Sequence, residues 1–417
     1  MSARHLRPVF APAATALRAL LLLAALLPAV ACERAPLAVV PAPITAYHFT
    51  RNRCDDSQAR SCRDDADCSG RRCVSVLSST AGAFGRDAGH TIQIGDRVLW
   101  LFGDSFTPTG LRSMTAGWSD STNPLTLRDI VDSRGAPTQF VAFDADEQAY
   151  NAGHRKVDAC CRDRKTCPAE KPYCKCAANV DCNTRVALWP GDGFATEDGQ
   201  AMFFYEKHVI GAAEYDFRAL GTGLARFAPE DAQAQRLMKD GEPLYLFGPR
   251  EAQFSRGVRV DEPNGSYFYL FASTHRQGCA VDVLSARVPL AKVSDRAAYE
   301  FWNGSNWSGR LEEAEPILKQ IPGGLGSVGW DQASKSYLAA WSDVCTGGSK
   351  LLLRAARQPQ GPWSDARTVD LAGLGARGDA YYGMWHPQFG NSRKLLVSYY
   401  QPEAIRGQIR LVVLELP

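Results

Sequence analysis

Two aspartates, Asp87 and Asp104, stand at the two ends of a segment with the pattern of a β-hairpin. The turn Gly95-Asp96 tolerates hairpin dihedrals, and an apolar run follows it up to Phe102. Because antiparallel strands joined by a tight turn return to their starting point, we expect the two carboxylates to lie together. Such a pair is the minimum for hydrolysing a glycosidic bond, one as acid and one as base or nucleophile. The structural alternative is that Asp87 caps a turn and Asp104 closes the hairpin through backbone N–H groups.

The same phrase, a short strand, a polar turn and an aromatic-rich strand, returns five times along the 417 residues. Its copies are Ala88–Phe106, Trp189–His208, Ser255–His275, Leu325–Cys345 and Met384–Glu403. The later copies recur about every 60–70 residues, which is typical of radial or stacked repeats. We therefore predict an all-β fold, a five-bladed β-propeller, which leaves only short sheet edges exposed. A β-sandwich with several hairpins is the alternative.

The first residues of the repeats should face a common funnel, because the innermost strands of a propeller begin near its axis. These positions hold Asp87, Trp189, Ser255 with Arg256, Ser327, and Trp385 with His386. Aromatic faces stack on sugar rings and polar groups bind hydroxyls, so the set suits a carbohydrate. Glu206 occupies the position in the second repeat that Asp104 occupies in the first. It is either a third carboxylate of the site or the partner of Lys207 or of an arginine in the next loop.

The first 31 residues have the composition of an export signal. Basic residues precede the apolar run Ala19–Val30, which is too short for a bilayer core that needs about 20 residues. The small residues before Cys32 resemble a bacterial lipobox, in which this cysteine carries the lipid; ordinary secretory cleavage is the alternative. We expect a signal peptide over 1–31, a tether over 32–45 and the propeller over 46–417. The protein would be a cell-envelope lipoprotein or, alternatively, secreted and soluble.

Thirteen cysteines are present, and setting Cys32 aside leaves an even number that can pair. Most of them fall in two dense segments, 54–73 and 160–182. These cysteine-rich segments have too few apolar residues for a core of their own, so we expect loops held by disulfides. Zinc sites would instead want separated C-x2-C pairs. Cys279 and Cys345 follow the third and fourth repeats, and we predict a disulfide between them because corresponding exits of neighbouring blades meet.

The formal net charge of +2 argues against a strong electrostatic partner, and the chain lacks the basic stripe of a nucleic-acid binder. No second apolar stretch is long enough to cross a membrane, so we expect membrane association only through a lipid anchor. The sequence contains no nucleotide-binding loop and no metalloprotease or esterase motif. We expect no cofactor, no metal and a monomer. The C-terminal strand Gln408–Leu416 should close the ring by pairing near Ala46–Thr50 or Val74–Leu77.

Several short phrases resemble a bacterial five-bladed β-propeller family, formerly of unknown function (DUF4185-like), whose members are counted as endo-D-arabinanases of glycoside hydrolase family 183. The most specific is Gly85–His90 leading to Leu101–Ser105, which is similar to the family's Asp followed, one hairpin later, by W-x-F-G-D-T. Ser105 replaces the usual Thr. Weaker matches are Tyr299–Gly304, Gly361–Ser364 and His386-Pro387. The resemblance covers most of 82–417 and implies that Asp87 and Asp104 are catalytic; the segment 160–182 is not part of the pattern.

Two functions of different classes follow. One is a glycoside hydrolase that cleaves furanosidic linkages in a polysaccharide, with D-arabinan implied by the resemblance. The other is a surface-anchored, non-catalytic propeller that binds glycan or protein. The pair Asp87 and Asp104 separates them, because a binding protein does not need both carboxylates. The identity and configuration of the sugar, endo or exo action, and retention or inversion stay open.

Overall fold

The computed structural model describes residues 40–41, 52–54, 62, 65–70, 73–154, 175–176, 180–181, 184–211, 217–275, 279–374, 376–378, 380–390, 394–402 and 407–415. The chain divides into two compact units, Met1–Glu33 and Arg34–Pro417, and every described residue belongs to the second. The predicted signal peptide, Cys32, the possible pairing partner Ala46–Thr50 and most of segment 160–182 lie outside the described residues. No described helix is long and apolar enough to cross a membrane.

Three short strands precede blade one in the chain. The first three are β1 (Val40–Pro41), β2 (Asn52–Cys54) and β3 (Cys73–Val76). Blade one contains β4 (Gly85–Ile94), β5 (Arg97–Thr107), β6 (Gly110–Arg112), β7 (Thr115–Asp120) and β8 (Asn123–Asp129), in the order β4-β5-β7-β8 with β6 paired to β5. An α-helix, α1 (Ala145–His154), and the small hairpin β9 (Lys175–Cys176) and β10 (Val180–Asp181) follow it.

Blades two to five repeat this antiparallel plan. Blade two contains β11 (Arg185–Ala195), β12 (Ala201–Ile210), β13 (Phe217–Phe227), β14 (Gln235–Arg236) and, beyond the hairpin β15 (Met238–Lys239) and β16 (Glu242–Pro243), β17 (Tyr245–Phe247). Blade three contains β18 (Arg256–Glu262), β19 (Gly265–His275), β20 (Ala280–Pro289), β21 (Glu300–Trp302), β22 (Trp307–Ser308) and β23 (Leu318–Pro322). Blade four contains β24 (Ser327–Asp331), β25 (Ser336–Ser342), β26 (Lys350–Ala356) and β27 (Arg367–Asp370), and blade five β28 (Tyr381–Trp385), β29 (Lys394–Gln401) and β30 (Gln408–Glu415).

The five sheets form a closed ring. The first strands of the blades, β4, β11, β18, β24 and β28, contact one another in that order, and β28 also contacts β4. This circular order confirms the predicted five-bladed β-propeller and rules out two sheets packed face to face. Each of the five repeats found in the sequence forms the first hairpin of one blade.

A buried apolar cluster fills each interface between neighbouring blades. Successive residues of a strand point to opposite faces of its sheet. In β5, Leu99 and Leu101 therefore pack toward blade two, while Trp100 and Phe102 pack with Leu396 and its neighbours in blade five. A continuous apolar run thus supplies both interfaces of a blade, which explains why these strands show no alternation of apolar and polar residues.

Both ends of the described chain complete blade five. β30 pairs with β29 on one side and with β3 on the other, where Ser75 lies opposite Leu411. This confirms the predicted partner near Val74–Leu77. The short strand β1, which lies within the predicted tether, also pairs with β30. Ring closure by terminal strands leaves no open edge at this position.

Two disulfides are described. Cys279–Cys345 joins the segment before β20 in blade three to the segment after β25 in blade four, as predicted. Cys62–Cys73 lies within the first cysteine-rich segment, and Cys68 is also disulfide-bonded. In these loops disulfides replace the apolar core that the composition cannot supply.

Candidate functional site

Irregular pairing in the hairpin β4–β5 turns Asp87 toward the second strand. The register is regular from Ile94 opposite Arg97 to His90 opposite Leu101, and it shifts on both sides of Ala88, whose φ is 61°. Asp87 consequently lies against Gly103, where an added Cβ would overlap with Asp87 Oδ1. The missing side chain at Gly103 therefore makes room for the carboxylate. Bulges of this kind often redirect side chains next to active sites.

Asp87 is half-buried and titrates near neutral pH. The phenol of Tyr381 donates a hydrogen bond to Asp87 Oδ2 over 3.0 Å, and the backbone N–H of Asp104 donates another. Burial and the negative charge of Asp104 raise the pKa of Asp87 to about 7, although these hydrogen bonds and the charge of Arg185 act in the opposite direction. Asp87 can therefore hold a proton at the pH where most enzymes work.

Asp104 contacts blade two through both carboxylate oxygens. A guanidinium nitrogen of Arg185, at the start of β11, donates to Oδ2 in an ion pair. The indole Nε1 of Trp189 donates to Oδ1 over 3.2 Å. The side chain of Asp104 is 21% exposed. The two aspartates thus share one position but have different partners, a phenol for Asp87 and a guanidinium for Asp104.

Glu206 lies on β12 directly opposite Trp189. His208 Nε2 is 2.8 Å from its Oε2, and the Ser255 hydroxyl donates to its Oε1. Burial by itself raises the pKa of Glu206, but the hydrogen bond and charge of His208, followed by the charge of Arg256 and the hydrogen bond from Ser255, lower it to about 2. Lys207, one of the partners expected from the sequence, instead pairs with Glu147 over 2.7 Å.

Arg256 connects this group back to blade five. Its Nη2 donates to the Tyr382 hydroxyl over 2.6 Å, and its Nη1 donates to the Pro190 carbonyl over 3.3 Å. Tyr382 follows Tyr381, the phenol that binds Asp87. Polar side chains from four blades therefore form a continuous set at one end of the channel that runs along the axis of the ring. We call this set the carboxylate end. It comprises Asp87, Asp104, Arg185, Trp189, Glu206, Ser255, Arg256, Tyr381 and Tyr382.

Ser327 and Trp385, expected in the same funnel, lie elsewhere. Both border a cavity of about 280 Å³ that is also lined by Thr91, Gln93 and Gln388, further along the inner strands. The Trp385 backbone N–H donates to Ser327 Oγ over 2.8 Å. The physical reason is that β28 begins at Tyr381, four residues before Trp385, which corresponds to roughly 13 Å along a strand.

His386 is also placed away from the carboxylate end. It is fully buried, with Nδ1 3.2 Å from the Thr91 hydroxyl and Nε2 2.7 Å from that of Ser398. Burial lowers the pKa of His386 to about 3, so the ring is neutral. Its ring centroid lies 4.8 Å from that of Trp100. His386 is thus a packing residue between blades five and one.

A buried pair lies between the two groups of residues. His90 Nδ1 is 2.6 Å from Asp192 Oδ1, and Asp192 Oδ2 accepts from the Gly257 N–H over 2.8 Å. Burial lowers the pKa of His90 against the opposing charge of Asp192. The pair links the inner strands of blades one, two and three, because His90 lies in β4, Asp192 in β11 and Gly257 in β18.

The sequence analysis missed Arg185, Tyr381 and Tyr382. All three lie among the first residues of an inner strand. β11 begins four residues before the second repeat copy, and β28 begins three residues before the fifth. The signal was present in Ala380-Tyr381-Tyr382-Gly383, a polar aromatic pair just before the apolar Met384. Extending every copy toward its N-terminus would have included all three side chains.

Solved structures with a similar fold share little sequence with this chain. A protein of unknown function from Dyadobacter fermentans has 10% identity and a TM-score of 0.39, and covers 82% of this chain and 97% of its own. A GH43_1 enzyme from Xanthomonas citri has 9% identity and a TM-score of 0.43, with 82% and 89% covered. Levansucrase from Bacillus subtilis has 8% identity and a TM-score of 0.46, with 82% and 88% covered.

No curated protein matches the sequence. A family match, in contrast, spans residues 78–403, from just after β3 to the end of β29, and so includes every member of the carboxylate end. The chain belongs to the family described as "Domain of unknown function (DUF4185)".

Proposed function

We propose that the protein is a glycoside hydrolase that cleaves furanosidic linkages in a polysaccharide, with D-arabinan as its substrate. The observation that carries the proposal is the contrast between two adjoining carboxyl groups. Burial and the charge of Asp104 raise the pKa of Asp87 to about 7, while Asp104 is ion-paired with Arg185. Two carboxyls whose surroundings differ in this way match the acid and the base or nucleophile of glycoside hydrolysis.

In this proposal Asp87 is the general acid. As the bond between the anomeric carbon and the glycosidic oxygen breaks, the Asp87 proton goes to that oxygen and the leaving sugar departs as an alcohol. Asp104 either attacks the anomeric carbon itself or removes a proton from the water that attacks it. Arg185 and Trp189 hold the Asp104 oxygens in a fixed orientation in both versions.

The charge coupling between the two groups also resets the acid. The negative charge of Asp104 helps to raise the pKa of Asp87. When Asp104 loses that charge, by bonding to the sugar or by taking a proton from water, the pKa of Asp87 falls. Asp87 is then ionised. In the retaining version it accepts the proton of the water that displaces the sugar from Asp104; in the inverting version Asp104 releases its proton to solvent while Asp87 takes one up, so both versions return the site to its starting state.

The rest of the carboxylate end suits a polyhydroxylated ring. Glu206 remains ionised and accepts hydrogen bonds, and Arg256 donates them. Trp189 offers an aromatic ring beside Asp104. We propose Trp189, Glu206 and Arg256 as substrate-binding residues. Ser327 and Trp385 line the cavity further along the inner strands and His386 is fully buried, so we leave them out of this proposal. D-arabinan rests on the resemblance of Gly85–His90 and Leu101–Ser105 to the family pattern.

Incubating the purified protein with D-arabinan and separating the products tests the activity. The parent should release oligosaccharides, and Asp87→Asn and Asp104→Asn should each reduce the rate by about 10²–10⁴-fold. An aryl furanoside with an acidic phenol as leaving group needs no protonation. Asp87→Asn should therefore release the first equivalent of phenol from that substrate about as fast as the parent, whereas Asp104→Asn should lose activity on both substrates. Equal rates for the parent and both Asn variants would disprove the assignment.

We also propose that the chain is exported and anchored through Cys32. The disulfides Cys279–Cys345 and Cys62–Cys73 support an oxidising compartment. Cys32→Ser should move the protein from the membrane fraction to the soluble fraction, and Cys279→Ser serves as the control for losing a cysteine elsewhere. Unchanged membrane partitioning of Cys32→Ser would remove the lipid anchor and leave secretion as the alternative.

A further inference from the structure

Phe217, the first residue of β13, is an exposed aromatic residue at the carboxylate end. Its side chain is 42% exposed, and it is one of six large apolar side chains exposed among the described residues. It pairs with Ile210 at the end of the strand pair β12–β13. The position lies outside the five repeat copies, so the sequence pattern gave no reason to select it. A single exposed apolar side chain is ordinary on a protein surface. Phe217 is distinguished by its contacts with its neighbours.

The ring of Phe217 packs against Trp189, a member of the carboxylate end, and against His208, the partner of Glu206. Its centroid is 5.3 Å from that of Trp189, at an interplanar angle of 72°, and 5.8 Å from that of His208, at 83°. Edge-to-face packing of this kind holds an aromatic ring in place while covering only part of its surface. Trp189 is itself hydrogen-bonded to Asp104. Phe217 thus contacts Trp189, which in turn binds a proposed catalytic oxygen of Asp104, and its aromatic surface is held in place by these contacts.

We infer that the exposed face of Phe217, held edge-to-face against Trp189, is a stacking platform that binds a sugar ring of the furanose polymer next to the bond cleaved at Asp87 and Asp104; this inference rests on the proposed function. The C–H face of a sugar packs on an aromatic ring through nonpolar contact and needs no hydrogen bond. A phenylalanine, whose side chain has no hydrogen-bonding group, can therefore bind it. The platform is continuous with the carboxylate end through Trp189. The occupant is therefore a further residue of the same polymer, and the platform favours long chains over single sugars.

The test compares polymer and small substrates in the full-length protein. Phe217→Ala should raise KM for D-arabinan about tenfold with kcat nearly unchanged, and should leave the rate on an aryl furanoside unaltered. Phe217→Tyr, which keeps the aromatic face, should behave as the parent. Trp330→Ala is the matched control, because Trp330 is similarly exposed, at 38%, on blade four and packs on Tyr337. Retardation in native gels containing D-arabinan measures binding without turnover, in the Asp87→Asn background.

The outcomes separate the platform from the activity. If the parent cleaves the polymer and Phe217→Ala has an unchanged KM, the platform is disproved and the hydrolase stands. A parent that is retarded in the gel but never cleaves, with retardation lost in Phe217→Ala, disproves the hydrolase and supports the platform. Equal losses in Trp330→Ala and Phe217→Ala would make the effect non-specific and overturn the platform. A parent that is not retarded by any furanose polymer overturns both.

Discussion

Blades one and two each place a half-buried carboxyl group at the carboxylate end, and the pKa values of the two groups are shifted in opposite directions. The pKa of Asp87 rises to about 7 and that of Glu206 falls to about 2. Burial raises the pKa in both cases. The difference comes from the neighbours, because Asp87 faces a second carboxylate, Asp104, whereas Glu206 faces His208 and Arg256.

This difference in pKa distinguishes a carboxyl group that can transfer a proton from one that stays ionised. A carboxyl with a pKa near the working pH can donate and recover a proton. A carboxylate held by an imidazole and a hydroxyl keeps its charge and its orientation, so it suits binding rather than proton transfer. Depth of burial alone would have ranked the two side chains alike. Their partners therefore decide which carboxyl can act as an acid.

The largest expected effect is on turnover when each carboxyl is replaced by its amide. Asp87→Asn removes the proton donor and should slow hydrolysis of D-arabinan by about 10²–10⁴-fold at neutral pH. Glu206→Gln keeps the shape and one acceptor oxygen, so its loss should be about tenfold and appear mainly in KM. Initial rates over a range of polymer concentrations measure both. A greater loss in kcat for Glu206→Gln than for Asp87→Asn would reverse the roles given to the two blades.

A second test displaces Asp87 without changing its chemistry. Gly103→Ala adds a Cβ that overlaps with Asp87 Oδ1, and the displaced carboxyl should cost about 10²-fold in turnover. The control is Gly309→Ala, because a Cβ at Gly309 meets nothing within 4 Å and its φ is not in the left-handed region. Circular dichroism should show both variants folded. Full activity in a folded Gly103→Ala would mean that the position of Asp87 does not matter.

The third test uses stability, where the two carboxyls should act with opposite sign. The folded-state pKa of Asp87 lies above its ordinary value of 3.8, so its contribution to stability is lost as pH rises from about 4 to about 7. The folded-state pKa of Glu206 lies below its ordinary value of 4.5, so its contribution is present above about 4.5 and lost as pH falls toward about 2.

Urea unfolding at pH 8 should therefore separate the two amide variants. Asp87→Asn should raise the free energy of unfolding by about 2–4 kcal/mol because it removes an unfavourable buried charge. Glu206→Gln should lower it by about 3 kcal/mol because His208 and Arg256 lose their partner. The exposed Glu312→Gln, whose ion pair with Arg310 lies in solvent, should leave it unchanged within the error of the measurement. A destabilised Asp87→Asn at pH 8 would contradict the raised pKa of Asp87.

The smallest effect concerns the pH profile. The Tyr381 hydrogen bond lowers the pKa of Asp87 by stabilising its ionised form. Tyr381→Phe should therefore raise that pKa and move the basic limb of the kcat profile, expected near pH 7, upward by about 1 unit or less. Tyr269→Phe makes the same chemical change at a phenol that binds Glu262 over 2.7 Å, and its profile should match the parent. A downward shift for Tyr381→Phe would show that the phenol stabilises the protonated form.

The five repeats, the register of their hairpins and the Asp87–Asp104 pair could be predicted because they follow from local pattern. Apolar runs such as Val98–Phe102 specify strands buried on both faces, and the turn Gly95-Asp96 specifies which residues face each other across the hairpin. The Cys279–Cys345 disulfide followed from equivalent positions in neighbouring repeats. Two-residue turns and apolar runs act within a few residues, so a single sequence contains them in full.

The membership of the site was decided by tertiary structure. Tyr381 lies almost 300 positions from Asp87, and Arg185 lies 81 positions from Asp104, so no local pattern relates them. Trp385 matched the repeat but lies roughly 13 Å along β28 from Tyr381, and His386 lies just beyond the end of that strand, since strands of one repeat begin at different residues in different blades. The pKa values of Asp87 and Glu206 depend on charges supplied by other blades. The sequence by itself determined which carboxyl groups reach the channel, and only the closed ring determined their neighbours, because electrostatic interactions act through space rather than along the chain.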